Sequence, residues 1–561
     1  MHRRRPGHRR DLRTPALTPP GAAAASWFDR NILSLARELR LSYLPPLMVY
    51  LAAGVSGLTG IVGTFFVKEH LGLSAEVLAA LGFWAGIPWA LKMPVGHLVD
   101  LIWRWKSLLV YLGAGLIAAS LAIMIGLIAH VEAMRALMPV EHWFVLSVLL
   151  APTGYMVQDA VADAMTVEAV PRADDAGRPY GAQARKLMHT TMQTLGRVAI
   201  VGGGVLVALA NVALFRDAER LPEAAKAALY VDIYALALVI PLLSVAGVAL
   251  AALLRRRQAA RLRAHGVAEA EIARLLSAQG EQKTAPNWWI LGGSIAFVAL
   301  TLAVGLGGVR FGQELVFGGS FAVILILLWR LARELEPEAR EVLVATALVL
   351  FVYRAVPGPG AGATWWMIDA LGFDQAFLAR LSLVASVLTL AGMFVFRRFM
   401  AEKSIAQILV FLTLAGTLLA LPTIGMVHGL HEWTARHTGG VVDARFIALV
   451  DTALESPLGQ IAMIPMLAWI ANSAPAHLKA TYFAVMASFA NLALAAAQLG
   501  TKYLNQAFLV TREVRDRASG ALKIPADYGE LGTLLAAAVV LGCVLPLAAV
   551  AAVRILRLRT A

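Results

Sequence analysis

Cysteine is all but missing from this 561-residue chain, and the lone Cys543 excludes both an intrachain disulfide framework and a metal centre built on thiolates. Charged residues are also scarce, at 15% of the chain, and aromatics make up only 8%. Histidine supplies no ligand set. His428, His431 and His437 share one stretch without tight spacing and His189 stands alone, so no metal is expected. The triplet Gly202, Gly203, Gly204 lacks the preceding strand that a phosphate-binding loop needs, and reads as a close-packing patch. No cofactor is implied, and no stretch has the composition of a soluble domain.

What fills the chain is apolar. Hydrophobic residues make up 59% and the mean hydropathy is +0.70, beyond what a soluble domain can bury, so a bilayer must act as solvent. Runs of about 20 apolar residues, enough to cross about 30 Å of hydrocarbon, predict fourteen spans. The first six are 45–67, 75–97, 107–129, 143–165, 187–212 and 230–254. Two follow at 288–308 and 315–332, then six at 342–358, 375–396, 404–427, 444–470, 481–508 and 530–553. The expected fold is all-α and integral to the membrane. A basic tail (1–44) precedes a six-helix half (45–254), a basic loop (255–287), two inserted helices (288–332) and a second six-helix half (333–561).

The net charge of +13 points to topology rather than to nucleic acid, because the cations lie between the apolar runs. With the N-terminus inside, about 32 of the 49 Lys and Arg fall on the inner side, about 11 on the outer side and about 6 within spans. That asymmetry predicts an even number of spans, with both termini cytoplasmic in a bacterial inner membrane. Arg3, Arg4, Arg5, Arg9 and Arg10 in the tail and Arg255, Arg256, Arg257, Arg261 and Arg263 in the central loop contribute most. Arg512, Arg515 and Arg517 run against it. The tail lacks a signal-peptide core and reads as a disordered cytoplasmic extension, and the central loop as a short amphipathic helix on the inner face.

Ionisable groups inside spans cost a few kcal/mol each by insertion scales, so each is a candidate for function. In the fourth span Tyr155, Asp159 and Asp163 recur every four residues and share one helical face. Two carboxylates on one stripe form an expected proton site, since repulsion and desolvation disfavour charging both. Asp451 and Glu455 repeat the spacing on the equivalent helix of the second half, at a different depth. Lys92 is expected to pair with Asp159 or Asp163, and Arg354 with Asp451 or Glu455. Fixed ion pairs that hold helices together are the structural alternative. Trp84 or Trp89 is expected to face a cavity, where a planar solute would stack. Trp365 and Trp366 read as interfacial anchors.

The string from Gly86 to Asp100, with Pro88, Trp89, Lys92, Gly96 and Asp100, resembles the second helix of the folate-biopterin transporter family of the major facilitator superfamily. Phe65 to Leu71, the acidic series Asp159, Asp163 and Glu168, and Arg354 to Pro357 followed by Leu371 to Phe373 resemble other stretches of that family. So do Asp451, Pro465 to Leu467, and Ala480 to Asn491. Pro94 sits one place late, Ala53 replaces a usual glutamine, Leu101 replaces a basic residue, and the inserted helices exceed a twelve-helix plan. The resemblance implies a proton-coupled carrier of folates, pterins or a related metabolite, working by rocking of two halves. The partners expected are a small-molecule substrate, a proton and lipid, with no nucleic acid. A carrier of another anionic or amphipathic solute, such as a muropeptide or S-adenosylmethionine, is the nearest alternative. A membrane enzyme would need a polar centre, for which Asp174, Asp175 and Arg178 are the nearest residues. A non-transporting sensor is the third reading.

Overall fold

The computed structural model describes residues 39–560 apart from 72, 91, 172–177, 179, 277–285, 307–308, 334, 467–468, 470–478 and 516–521. The chain divides into a unit at Met1–Leu41, of which Leu39, Arg40 and Leu41 are described, and a compact unit at Ser42–Ala561. The polybasic tail and the Asp174 and Asp175 pair therefore lie outside the described residues.

Among the described residues, eleven helical segments are long and apolar enough to cross a membrane. The predicted fourteen are thus not all met on length and composition. Helix α1 (Leu44–Gly54) opens with Pro45 and Pro46 in its first turn, where backbone N–H groups need no partner. A 3₁₀ turn at Val55–Thr59 carries it into α2 (Gly60–His70). Helices α3 (Ala75–Ala90) and α4 (Lys92–Leu101) form the second span. The rest of the first half is α5 (Lys106–Ala129), α6 (Val140–Ala169), α7 (Ala182–Leu214), and α8 (Glu223–Ala237) continuing into α9 (Val239–Ala264). The short amphipathic helix α10 (Glu269–Leu276) follows.

The inserted pair is α11 (Trp288–Leu306) and α12 (Gly312–Arg333). The hairpin packs on α4 and on a late helix, α19 (Lys479–Ala507). Asn287 starts α11 by accepting from the Trp289 and Ile290 amides at 3.2 and 3.3 Å, and its own N–H donates to His97 Nε2 at 2.9 Å. Glu314 of α12 accepts from Lys502 at 3.1 Å. Polar anchors thus hold two otherwise apolar helices in register.

The helix of the predicted ninth span, 342–358, ends at Arg354. Helix α13 (Pro337–Arg354) stops before the Pro357-Gly-Pro-Gly360 run, and α14 (Ala361–Asp369) resumes beyond it. Gly360 has φ +77°, a conformation that a side chain would strain. The freed backbone is served by α19: Gly358 N–H donates to Thr501 at 3.0 Å, and Asn505 donates to the Pro359 carbonyl at 3.2 Å. Trp365 and Trp366, read as interfacial anchors, are instead 2% and 7% exposed. The break turns α14 back into the bundle.

The second half continues with α15 (Gln375–Val395), α16 (Ile405–Leu419), α17 (Leu421–Val427), α18 (Ala444–Glu455), α19 and α20 (Leu531–Ile555). Between α19 and α20 a two-stranded antiparallel ribbon pairs β1 (Val514–Arg515) with β2 (Leu522–Ile524). The halves meet along two seams, α3 and α4 on α19, and α7 on α15. Large apolar side chains such as Leu206, Leu242 and Leu418 remain exposed on the outer faces, as contact with lipid requires.

Candidate functional site

Helices α1, α4 and α6 bring one cation and two carboxylates together. Lys92 Nζ lies 2.5 Å from Asp159 Oδ2 and 2.8 Å from Asp163 Oδ2. The Tyr50 hydroxyl donates to Asp163 Oδ1 at 2.7 Å. The four-residue spacing on α6 places both carboxylates on one stripe, and Lys92 at the start of α4 reaches both. Arg197 of α7 is close enough to act electrostatically on Asp159 and Tyr50, yet no hydrogen bond from it is found among the described residues. Two carboxylates and two cations leave the cluster neutral.

One turn further along α6, about 6 Å away by helical rise, Tyr155 forms part of the wall of a cavity of about 480 Å³. The wall is built from both halves, with the 3₁₀ turn Val55–Thr59, α2, α3, α5, α6 and α8 on one side and Ala361, Thr364 and Trp365 of α14 on the other. Its polar groups are hydroxyls, including Ser56, Thr59, Thr64, Tyr234 and Thr364, and its aromatic faces include Trp365 and Phe144. Such a lining suits a flat, neutral ring with hydrogen-bonding edges. The Lys92 cluster is not itself in the wall, so Tyr155 is the link between the two.

Several expected pairings and placements differ in the structure. Trp84 packs into a hydrophobic core edge-on to Phe83, 5.3 Å between centroids. The carbonyl of Trp89 accepts from Asn491 of α19 at 3.2 Å, and the tryptophan in the cavity wall is Trp365 rather than Trp84 or Trp89. Arg354 does not meet Asp451 or Glu455, because α13 ends there against α19 and Arg354 Nε donates to the Ala490 carbonyl at 3.0 Å. Asp451 accepts from Thr423 at 3.3 Å while its other oxygen is buried without a partner among the described residues, and Glu455 is exposed. Glu168 leaves the Asp159 stripe and accepts from Lys106 at 2.7 Å, with Arg255 at 3.6 Å. Gly96 and Asp100 lie in α4, and the Asp100 side chain is outside the described residues.

Tyr50 was not among the residues expected from sequence, since a tyrosine in an apolar run carries no periodic signal. Its role is testable. Tyr50→Phe removes a hydrogen bond to a charged acceptor and is expected to lower uptake about five- to tenfold with protein yield unchanged, measured as initial rates in vesicles.

A helical bundle with two seams between its halves, a chain break at Pro357 to Gly360, and a cavity between the halves defines a fold of the major facilitator type. Solved structures agree on the fold. A POT family transporter in complex with 5-aminolevulinic acid superposes with a TM-score of 0.55 at 13% identity, covering 91% of this chain and 94% of that one. A variant of the nucleoside transporter NupG gives 0.51 at 12%, covering 92% and 99%. In sequence the chain is similar to folate-biopterin transporters, the family its motifs resemble. The model of the BT1 family matches residues 292–553. A folate-biopterin transporter of Synechocystis sp. is 24% identical over 470 residues, 83% of this chain and 75% of the relative.

Proposed function

We propose that the chain is a proton-coupled carrier of a folate, pterin or related anionic metabolite, working by alternating access, with both termini on the cytoplasmic side of a bacterial inner membrane. The observation that carries this reading is the sharing of Lys92 by Asp159 and Asp163, one helical turn from the cavity wall at Tyr155. With two anions and two cations the resting cluster is neutral. A proton on either carboxylate leaves a net positive charge and weakens that carboxylate's hold on Lys92. The released ammonium, or Arg197, then binds a carboxylate of the solute, so that proton and anion load together. A pterin ring fits the hydroxyl-lined cavity, with Trp365 offering a stacking face. The relatedness to folate-biopterin transporters favours this cargo over muropeptides or S-adenosylmethionine.

Uptake of labelled folate and of a labelled pterin into inverted and right-side-out vesicles tests the reading. Accumulation should require a proton gradient, and Asp163→Asn should abolish gradient-driven accumulation. Uptake that survives both Asp163→Asn and collapse of the gradient would refute proton coupling. Binding of neither compound in a thermal-shift screen, with another solute raising the melting temperature, would reassign the cargo.

A further inference from the structure

At the end of the bundle where α2 and α14 finish, the halves are latched by polar contacts. Lys68 Nζ of α2 lies 2.5 Å from Asp369 Oδ1 at the end of α14. Gln506 donates to Glu76 at 2.6 Å, and Gln375 to the Tyr230 hydroxyl at 3.0 Å, also between halves. The second oxygen of Asp369 accepts from Tyr528 at 2.6 Å.

Arg512 lies close by. Thr511 and Asp527 exchange backbone hydrogen bonds of 3.0 Å in both directions, which holds the neighbouring Arg512 and Tyr528 on adjacent strands. The Arg512 guanidinium lies 5.2 Å over the Trp365 ring, is 3% exposed, and has Nε and Nη2 buried without a partner among the described residues. Two unmatched donors on a buried cation are costly. Burial pushes the Arg512 pKa down to about 10, with Tyr528 and Asp369 acting against the shift, so the group is still charged at neutral pH and within electrostatic reach of Asp369. Tyr528 is raised by burial and by Asp369, and remains a donor.

Lys68 belongs to the first half, whereas Asp369, Tyr528, Arg512 and Trp365 belong to the second. We propose that Lys68–Asp369 is a partner-exchange latch: when the halves part at this end, Lys68 withdraws and Arg512 takes over Asp369. The exchange rests on the alternating-access reading and adds to it a specific open-state contact. Without it, opening would leave Asp369 with Tyr528 but no cation, and keep two guanidinium donors unmatched. With it, Asp369 has a cationic partner in both states and the Arg512 donors gain an acceptor on opening. Because Trp365 lies under Arg512 and also walls the cavity, movement of the guanidinium toward Asp369 is coupled to access to that cavity.

Electron-electron distance measurements test the latch independently of transport. Spin labels at Leu137→Cys and Val441→Cys, in a Cys543→Ser background, report the separation of the halves at this end. Lys68→Ala should raise the ratio of long to short distances about fivefold, whereas Asp369→Asn, which removes the contact of both states, should leave it near wild type. Adding Arg512→Gln to Lys68→Ala should bring the ratio back toward wild type. Adding it to Asp369→Asn should change nothing, since no acceptor remains. This last pair separates exchange from a packing role for Arg512. A Lys68→Ala ratio that is unchanged, or one that Arg512→Gln leaves unaltered, would overturn the exchange. Alternating access itself fails on a different result, a single distance in every variant and with every solute.

Discussion

Lys92→Met is expected to abolish uptake and to destabilise the fold by about 3 kcal/mol, the low end for breaking a buried ion pair by removing one partner. Lys92 holds Asp159 at 2.5 Å and Asp163 at 2.8 Å, and its side chain is 17% exposed. Its loss leaves two carboxylates on one helical stripe without the cation that touches both. Arg197 exerts only a longer-range field there. Neutralising one carboxylate as well separates folding from function. Lys92→Met with Asp159→Asn should regain most of the lost thermal stability, measured on detergent-solubilised protein, yet remain without gradient-driven uptake. Wild-type stability in Lys92→Met would show that the pair contributes nothing to the fold. Wild-type uptake would place the cluster outside the transport path.

Gly54→Ala is expected to produce the largest structural defect of any single methyl group in the first half. A Cβ at Gly54 would stand 2.3 Å from the Ile200 carbonyl oxygen, and one at Gly203 would stand 2.8 Å from Gly54 Cα. The obstructing atoms are backbone, so α1 and α7 must separate rather than repack a side chain. An overpacking cost of about 3 kcal/mol follows, visible as a lower melting temperature and less protein in the membrane. Gly202→Ala is the control, because a Cβ there meets nothing within 4 Å. Equal stability of the two variants would show that the close approach of α1 to α7 is not needed.

The apolar helices and the Lys92 partnership were legible in the sequence, each through a short-range rule. A bilayer demands long apolar runs, and an α-helix puts residues four apart on one face. Arg354 shows where such rules stop. Its charge within a predicted span suggested an acidic partner, but the helix ends at that residue against α19, and a backbone carbonyl serves it. Trp365 and Trp366 were misplaced for the same reason: Pro357 to Gly360 marks a break, but the direction the chain takes after it depends on Thr501 and Asn505, more than 140 residues later.

Cys543 and the apolar composition by themselves determined that nothing here rests on disulfides, thiolate metal centres or a soluble core, and that the fold is helical and membrane-embedded. The tertiary structure alone decided which charges meet. Lys68 and Asp369, Tyr50 and Asp163, and Arg512 and Trp365 each lie more than a hundred residues apart, beyond any periodicity of a single helix. Arg512 had counted against the expected charge asymmetry as a loop cation; in the fold it is a buried group with two free donors. Sequence spacing specifies which face of a helix a residue shares, but only packing of that face against distant segments specifies what it touches.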